Sequence, residues 1–412
     1  MEGHAGSLTA TIAIALGAAF VCGLIARRLG LPSIIGYLVA GIVIGPFTPG
    51  IAADPNVALE LAEVGVALLM FGVGLHFSVR DLISVYRVAV PGAVGQIAAA
   101  SLLGTIVGLV FEFGLAASLV LGLAVSVGST VVLLRTLTKR ATLGTEPGRV
   151  AVGWLIVEDV FTVVALVLLP TLAVVAGVTS GSEPSAAGQG LIDVGVALAK
   201  AGLLTALMLV VGARVLPWLL TTVEGEGSRE LFTLAVLAAS LGVAFAATAI
   251  FDVSLALGGF LAGAVLSESR VSEKAAKDIV PLSDVFGVLF FVSVGMLLDP
   301  EILLERPFEI VALLAVVVLG KSIAALAIVA ALRRPLEIGL TVGAGLAQVG
   351  EFSFIVATEA HGLGILPSDG LQLVVAVSLL SITLNPAVFA GVTPLRRRIE
   401  ARPRIARALR AG

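Results

Sequence analysis

Apolar runs, each long enough to cross a bilayer as a helix, follow one another along almost the whole chain. They leave no stretch from which a water-soluble core with a charged surface could be built. The chain is 58% apolar and only 13% charged over 412 residues, with a mean hydropathy of +1.13. A soluble domain of this length needs far more charge on its surface. The runs are continuous and lack the alternation of barrel strands, so the expected fold class is an all-α polytopic membrane protein. Thirteen hydrophobic segments are read at 8–26, 33–48, 57–76, 88–111, 115–137, 150–176, 190–220, 230–250, 253–268, 281–298, 308–332, 338–361 and 368–394. The second and ninth are short and rich in glycine.

An odd number of crossings puts the termini on opposite faces. Of the 25 Lys and Arg residues, all but Lys200, Arg306 and Lys321 fall on one face in this reading. The positive-inside rule then places the N-terminus outside, the C-terminus in the cytoplasm and the chain in the inner (plasma) membrane. Cys22 stands alone, which excludes an intramolecular disulfide. The first apolar run lacks a basic region before it, so no cleavable leader is expected. His4, His76 and His361 have no metal-ligand spacing. No Walker or dinucleotide fingerprint is present. The reading is therefore of a chain that is not an enzyme, has no cofactor and no nucleic-acid partner, and lies in lipid.

Two adjacent acids break the sixth segment: Trp154-Leu-Ile-Val-Glu158-Asp159-Val. At 1.5 Å per residue Asp159 lies roughly 14 Å into the helix, near the centre of a ~30 Å hydrocarbon layer. A carboxylate there costs at least about 2.5–3.5 kcal/mol, so the default reading is an ion or proton site. Lys321 lies at a similar depth in segment 11, and Glu351 in segment 12. Neighbouring helical residues point about 100° apart, so both acids cannot face one lysine equally. A static salt bridge needs one acid and one base; the second acid is left over.

Three matches share one register: Gly36–Val43 with Gly258–Val265, Leu68–Leu75 with Leu289–Met296, and Ser126–Thr130 with Gln348–Phe352. They predict two copies in inverted orientation, the first at 1–176 and the second at 230–395, joined by a linker helix in 177–229 and followed by a basic cytoplasmic tail at 396–412. Inverted repeats around a midplane site are the mark of secondary transporters. Ser129, Thr130, Gln348 and Gly350 lie mid-membrane and predict helix breaks in the fifth and twelfth segments, whose half-helix ends would aim at the site. Pro170, Pro281 and Pro386 read as kinks or ends. Gly41-Ile-Val-Ile-Gly45 reads as close packing.

Leu289-Phe-Phe-Val-Ser-Val-Gly-Met296, Ala347-Gln-Val-Gly-Glu-Phe-Ser-Phe354, Gly258-Gly-Phe-Leu-Ala-Gly263 and Gly153-Trp-Leu-Ile-Val-Glu-Asp159 together resemble the monovalent cation/proton antiporter superfamily, in its Kef-type branch. The resemblance implies thirteen helices, two crossed broken helices, a homodimer, and a core domain rocking against a dimerisation domain. It implies that Asp159 binds cation or proton with Glu158, Ser129 and Thr130 beside it. Lys321, Glu351 and Gln348 would compensate charge, Lys321 as the partner of Glu158. Glutathione-gated potassium members carry Gln-Asp at the tandem position, where this chain has Glu-Asp. Relatives often continue into a cytoplasmic nucleotide-binding domain, which this sequence lacks, so any regulatory domain or subunit is expected outside it and glutathione gating is not carried over. The expected function is exchange of a monovalent cation, K+ favoured over Na+, for protons by alternating access at Asp159. The rival readings are a cation channel or uniporter, and an ion sensor of the same fold that does not transport.

Overall fold

The computed structural model describes residues 8–49, 55–76, 79–142, 144–175, 177, 196, 199–200, 202–251, 255–267 and 269–400. Among them every regular element is a helix. In chain order, apart from a single helical turn at Ile302–Glu305, these are α1 (Leu8–Arg28), α2 (Ser33–Ile44), α3 (Pro55–His76), α4 (Val79–Val110), α5 (Leu115–Ser126), α6 (Thr130–Lys139) and α7 (Glu146–Val175). They continue with α8 (Gly202–Gly225), α9 (Arg229–Phe251), α10 (Leu255–Ser267), α11 (Ser272–Met296) and α12 (Pro307–Ala331). The last three are α13 (Leu336–Leu346), α14 (Glu351–Gly362) and α15 (Ser368–Glu400).

Among the described residues seven of these helices are long and apolar enough to cross a membrane, and α2, α5, α10 and α13 are shorter apolar helices. Their outward faces carry Phe20, Leu102, Val110, Leu234, Phe245, Val311 and Ile323, all exposed. So much bare hydrocarbon on a folded surface is stable only against lipid. The thirteenth segment begins at Ser368 as expected, whereas the fourth reaches back to Val79, well before the apolar run at 88.

The chain forms two compact units. One comprises Ala26–Ile35, Val79–Thr162 and Leu298–Gly412. Its core gathers Trp154 and Leu155 of α7, Val88 and Ala93 of α4, Leu133 and Leu137 of α6, Ala325 and Val329 of α12, and Phe389 of α15. Trp154 is fully buried, and its ring lies directly over Gly92 of α4. A Cβ at Gly92 would occupy the space of the indole. The glycine therefore sets how closely α4 approaches the helix that carries the tandem acids.

The other unit comprises Met1–Ile25, Gly36–Ser78 and Val163–Leu297. Ala15, Ala19, Ala40, Ile44, Leu289, Val292 and Met296 form one of its clusters. Its closest contacts are backbone on backbone. Gly41 of α2 lies against the Val292 carbonyl and Gly295 of α11; Gly263 of α10 lies against the Phe71 carbonyl and Gly74 of α3. Gly41 and Gly263 are the matched glycines of one motif, and Gly74 and Gly295 those of another. The same contact is thus made twice, with the partners exchanged. A side chain at either site would be driven into a carbonyl oxygen that is already part of a helix. Gly41→Val and Gly263→Val are each expected to destabilise the detergent-purified protein by about 2–3 kcal/mol in thermal unfolding, the scale of overpacking in a tight core. Gly17→Val, where an added Cβ meets nothing within 4 Å, should leave the transition in place.

Candidate functional site

Two helices stop inside the first of these units and restart a few residues later. Helix α5 ends at Ser126, Val127 is extended at φ −87° and ψ 138°, and α6 begins at Thr130. Helix α13 ends at Leu346, Gly350 is extended at φ −93° and ψ 170°, and α14 begins at Glu351. The breaks meet each other. The Gly350 N–H donates to the Val127 carbonyl at 3.1 Å, and a Cβ on Gly350 would press on the Gly128 carbonyl. Glycine is needed here for close approach.

A broken helix deep in an apolar layer exposes N–H and C=O groups that no water satisfies, and each must find a partner. Side chains from neighbouring helices supply them. Gln96 Nε2 of α4 donates to the Ser126 carbonyl at 3.1 Å. The Gly128 N–H donates to Glu158 Oε2 of α7 at 2.8 Å. Gln348 Nε2 donates to the Ser129 and Gly345 carbonyls, both at 3.1 Å. Lys321 Nζ of α12 donates to the Gln348 carbonyl at 3.1 Å. From α15, Ser381 Oγ accepts the Val349 N–H at 3.1 Å and Asn385 Nδ2 donates to the Ala344 carbonyl at 2.8 Å.

The tandem acids divide their work. Glu158 is fully buried, with one carboxylate oxygen on Gly128 and the other, Oε1, without a hydrogen bond. Asp159 retains 6% exposure, and its Oδ2 accepts the Thr130 hydroxyl at 3.0 Å. Of the two acids, Asp159 is the one that keeps any exposure, and its partner on this side is a hydroxyl rather than a backbone group. Thr162 returns its hydroxyl to the Glu158 carbonyl at 2.8 Å, an ordinary bond within the helix.

Lys321 is fully buried too. It attracts Glu158 through space, but among the described residues the two form no direct salt bridge. Each charge is anchored first to the backbone of a break, the carboxylate on an N–H and the ammonium on a C=O. This orientation suits the ends of broken helices, positive at the N-terminus and negative at the C-terminus. A buried ammonium with one carbonyl partner still depends on nearby negative charge for its stability.

The structure thus brings Glu158, Asp159, Thr130, Ser129, Gln348 and Lys321 into one unit around the breaks. Ser129 turns its hydroxyl to the Val132 N–H at 3.2 Å, so that it caps α6. Glu351 opens α14, and its side chain lies outside the described residues. Gln96, Ser381 and Asn385 belong to the same network and were not singled out from the sequence. The available signal for Gln96 was its position as a buried amide in an otherwise apolar stretch of α4. For Ser381 and Asn385 one-residue patterns carry little, because hydroxyls and amides in apolar helices usually bond their own backbone. Among the described residues no group of His, Cys, Asp and Glu could hold a metal ion. Ser381→Ala leaves the Val349 N–H buried without its acceptor and should cost about 1–3 kcal/mol in thermal unfolding. Ser378→Ala, which removes only a bond to the Val374 carbonyl of its own helix, should cost much less.

The sodium/hydrogen exchanger transmembrane family matches residues 16–393. The Escherichia coli (strain K12) protein YbaL, named for cation/proton antiport, is 49% identical over 94% of this chain and 69% of its own length. The K(+) efflux antiporter 4 of Arabidopsis thaliana is 29% identical over 90% of this chain and 61% of its own. Among solved structures, the sodium proton antiporter MjNhaP1 of Methanocaldococcus jannaschii superposes with a TM-score of 0.60 at 17% identity. That superposition covers 94% of this chain and 98% of the other, and at this identity it speaks for the fold alone. With that coverage by the family and by YbaL, the chain belongs to the sodium/hydrogen exchanger family and is a multi-pass membrane protein of a transporter family, not an enzyme.

Proposed function

We propose that the protein exchanges a monovalent cation for protons at Asp159, by alternating access. The observation that carries this reading is the division between the two acids. Glu158 is committed to the Gly128 N–H, while Asp159 beside it keeps a carboxylate held by a hydroxyl and a margin of exposure. A site of this kind takes a cation or a proton, one at a time. Either occupant neutralises the carboxylate and lowers the cost of carrying it through the barrier, whereas the empty anion is held on one side. Competition for one carboxylate then couples the two fluxes, with no further gate.

Thr130 serves as a cation ligand beside Asp159 in this proposal, and Ser129, as the cap of α6, fixes where Thr130 stands. Lys321 and Gln348 hold the second break and offset Glu158, and Glu351 adds charge at the start of α14. Potassium is favoured because K(+) efflux antiporters are among the relatives; sodium follows from the family description and is the other candidate. Thirteen crossings, inverted repeats and two crossed broken helices complete the arrangement. The exchanged glycine contacts and the constant spacing from α5, α6 and α7 to α13, α14 and α15 support it. The basic residues support an N-terminus outside and a cytoplasmic C-terminus in the plasma membrane. A homodimer, with the unit that holds the site moving as the core, is proposed from the family resemblance.

The decisive experiment is proton flux in proteoliposomes on addition of potassium, sodium or lithium. Wild-type protein is expected to release protons against at least one of them, and Asp159→Asn to reduce that flux to the level of empty vesicles. Cation flux without proton movement would favour the channel, and undiminished exchange by Asp159→Asn would remove Asp159 from the site.

A further inference from the structure

The first break is held at five consecutive residues. The Ser126 carbonyl accepts from Gln96, the Val127 carbonyl from Gly350, and the Gly128 N–H donates to Glu158. The Ser129 carbonyl accepts from Gln348, and the Thr130 hydroxyl donates to Asp159. Four of these five bonds involve residues already assigned to the site or backbone alone. The remaining one belongs to Gln96, which is fully buried and whose other amide atom, Oε1, has no hydrogen-bond partner.

Its place in the fold is shared with Lys321. Ser126 and Gln348 are matched positions of the repeated motif. Each carbonyl accepts from the helix that precedes its broken helix, Ser126 from α4 and Gln348 from α12. Each donor follows a local irregularity: Pro91 lies inside α4 before Gln96, and a π-helical turn at Val316–Gly320 runs directly into Lys321. Such turns insert an extra residue and re-aim the side chains that follow. The packing fixes the register. Gly122 of α5 lies against the Ser101 carbonyl, and Gly343 of α13, one residue short of the motif's 222-residue spacing, against the Ser322 carbonyl. By the spacing of these two glycines Lys321 stands four residues, about one helical turn, from the position of Gln96, and both donors still reach a carbonyl at the end of the broken helix that follows.

We propose that Gln96 is a positioning residue of the exchange site: it clamps the first break as Lys321 clamps the second, with a neutral amide where the other half uses an ammonium. The inference rests on the exchange reading at Asp159. Its consequence is an uneven charge balance. Among the described side chains at the breaks two acids stand against one base, because the first clamp carries no charge. Without the amide, the α5 terminus keeps an unpaired buried carbonyl, and the segment that presents Thr130 to Asp159 loses its first anchor.

Gln96→Glu separates this role from simple packing. A protonated carboxylic acid can donate to the Ser126 carbonyl, and an ionised one cannot. The ratio of Gln96→Glu to wild-type flux is therefore expected to stay near one at low pH and to fall roughly ten-fold as pH rises, the effect of one buried hydrogen bond. Gln96→Leu, which keeps bulk and loses the donor, should raise the apparent cation KM roughly ten-fold across the whole pH range. Wild-type KM in Gln96→Leu, together with a constant flux ratio in Gln96→Glu, would overturn the proposal. If Gln96→Leu does not fold, the pH profile of Gln96→Glu decides alone. Asp159→Asn in the same vesicles keeps the two readings apart. Exchange that survives in Asp159→Asn condemns the site assignment, whereas its loss beside normal Gln96 variants condemns only the role of Gln96.

Discussion

Broken backbone in a layer without water is the constraint from which the rest of the site follows. A continuous helix satisfies its own N–H and C=O groups; a helix that stops at Ser126 or Leu346 does not. Each orphaned group has to be met by a partner, and where the two breaks do not meet each other's needs the partner comes from a neighbouring helix. Gln96, Glu158, Lys321, Ser381 and Asn385 come from four different helices for that reason. The breaks therefore determine which helices must stand beside them, and glycine at 92 and 350 lets the neighbours come close enough.

The same requirement explains why so much charge is tolerated. Glu158 and Lys321 would be costly as free ions in an apolar layer, and a direct pair between them would satisfy only each other. Bound instead to an N–H and a C=O of the breaks, each stabilises backbone that would otherwise be unpaired. Their mutual attraction then acts across the site. Asp159 differs from both: its Oδ2 accepts the hydroxyl of Thr130 and it keeps a small exposure.

Much of this was legible in the chain itself. The apolar runs reported helix and membrane because length and charge alone decide that question. Glu158, Asp159 and Lys321 announced themselves by cost, since an ionisable residue in such a run has few structural excuses. The repeated motifs pointed to the breaks at Ser129 and Gln348. Partnership was harder to read. Opposite charges at equal depth suggested that one of the two acids pairs with Lys321, and the resemblance implied Glu158; the fold gives Glu158 and Lys321 each a backbone partner first. Gln96 and Ser381 were passed over for a related reason. An uncharged polar residue in an apolar helix costs little when it bonds locally, and only three-dimensional neighbours distinguish one that bonds across helices.

The exchanged contact between Gly41 and Gly295, and between Gly74 and Gly263, has a historical reading. A surface that meets its own counterpart with the partners reversed is self-complementary. A half-length ancestor inserted in both orientations would have carried both surfaces on one chain and could have paired with a copy of itself. Fusion of two such genes would have preserved the contact without inventing it. Unlike donors at the two breaks, an amide from Gln96 and an ammonium from Lys321, would then be what a single covalent chain permits and a pair of identical subunits does not.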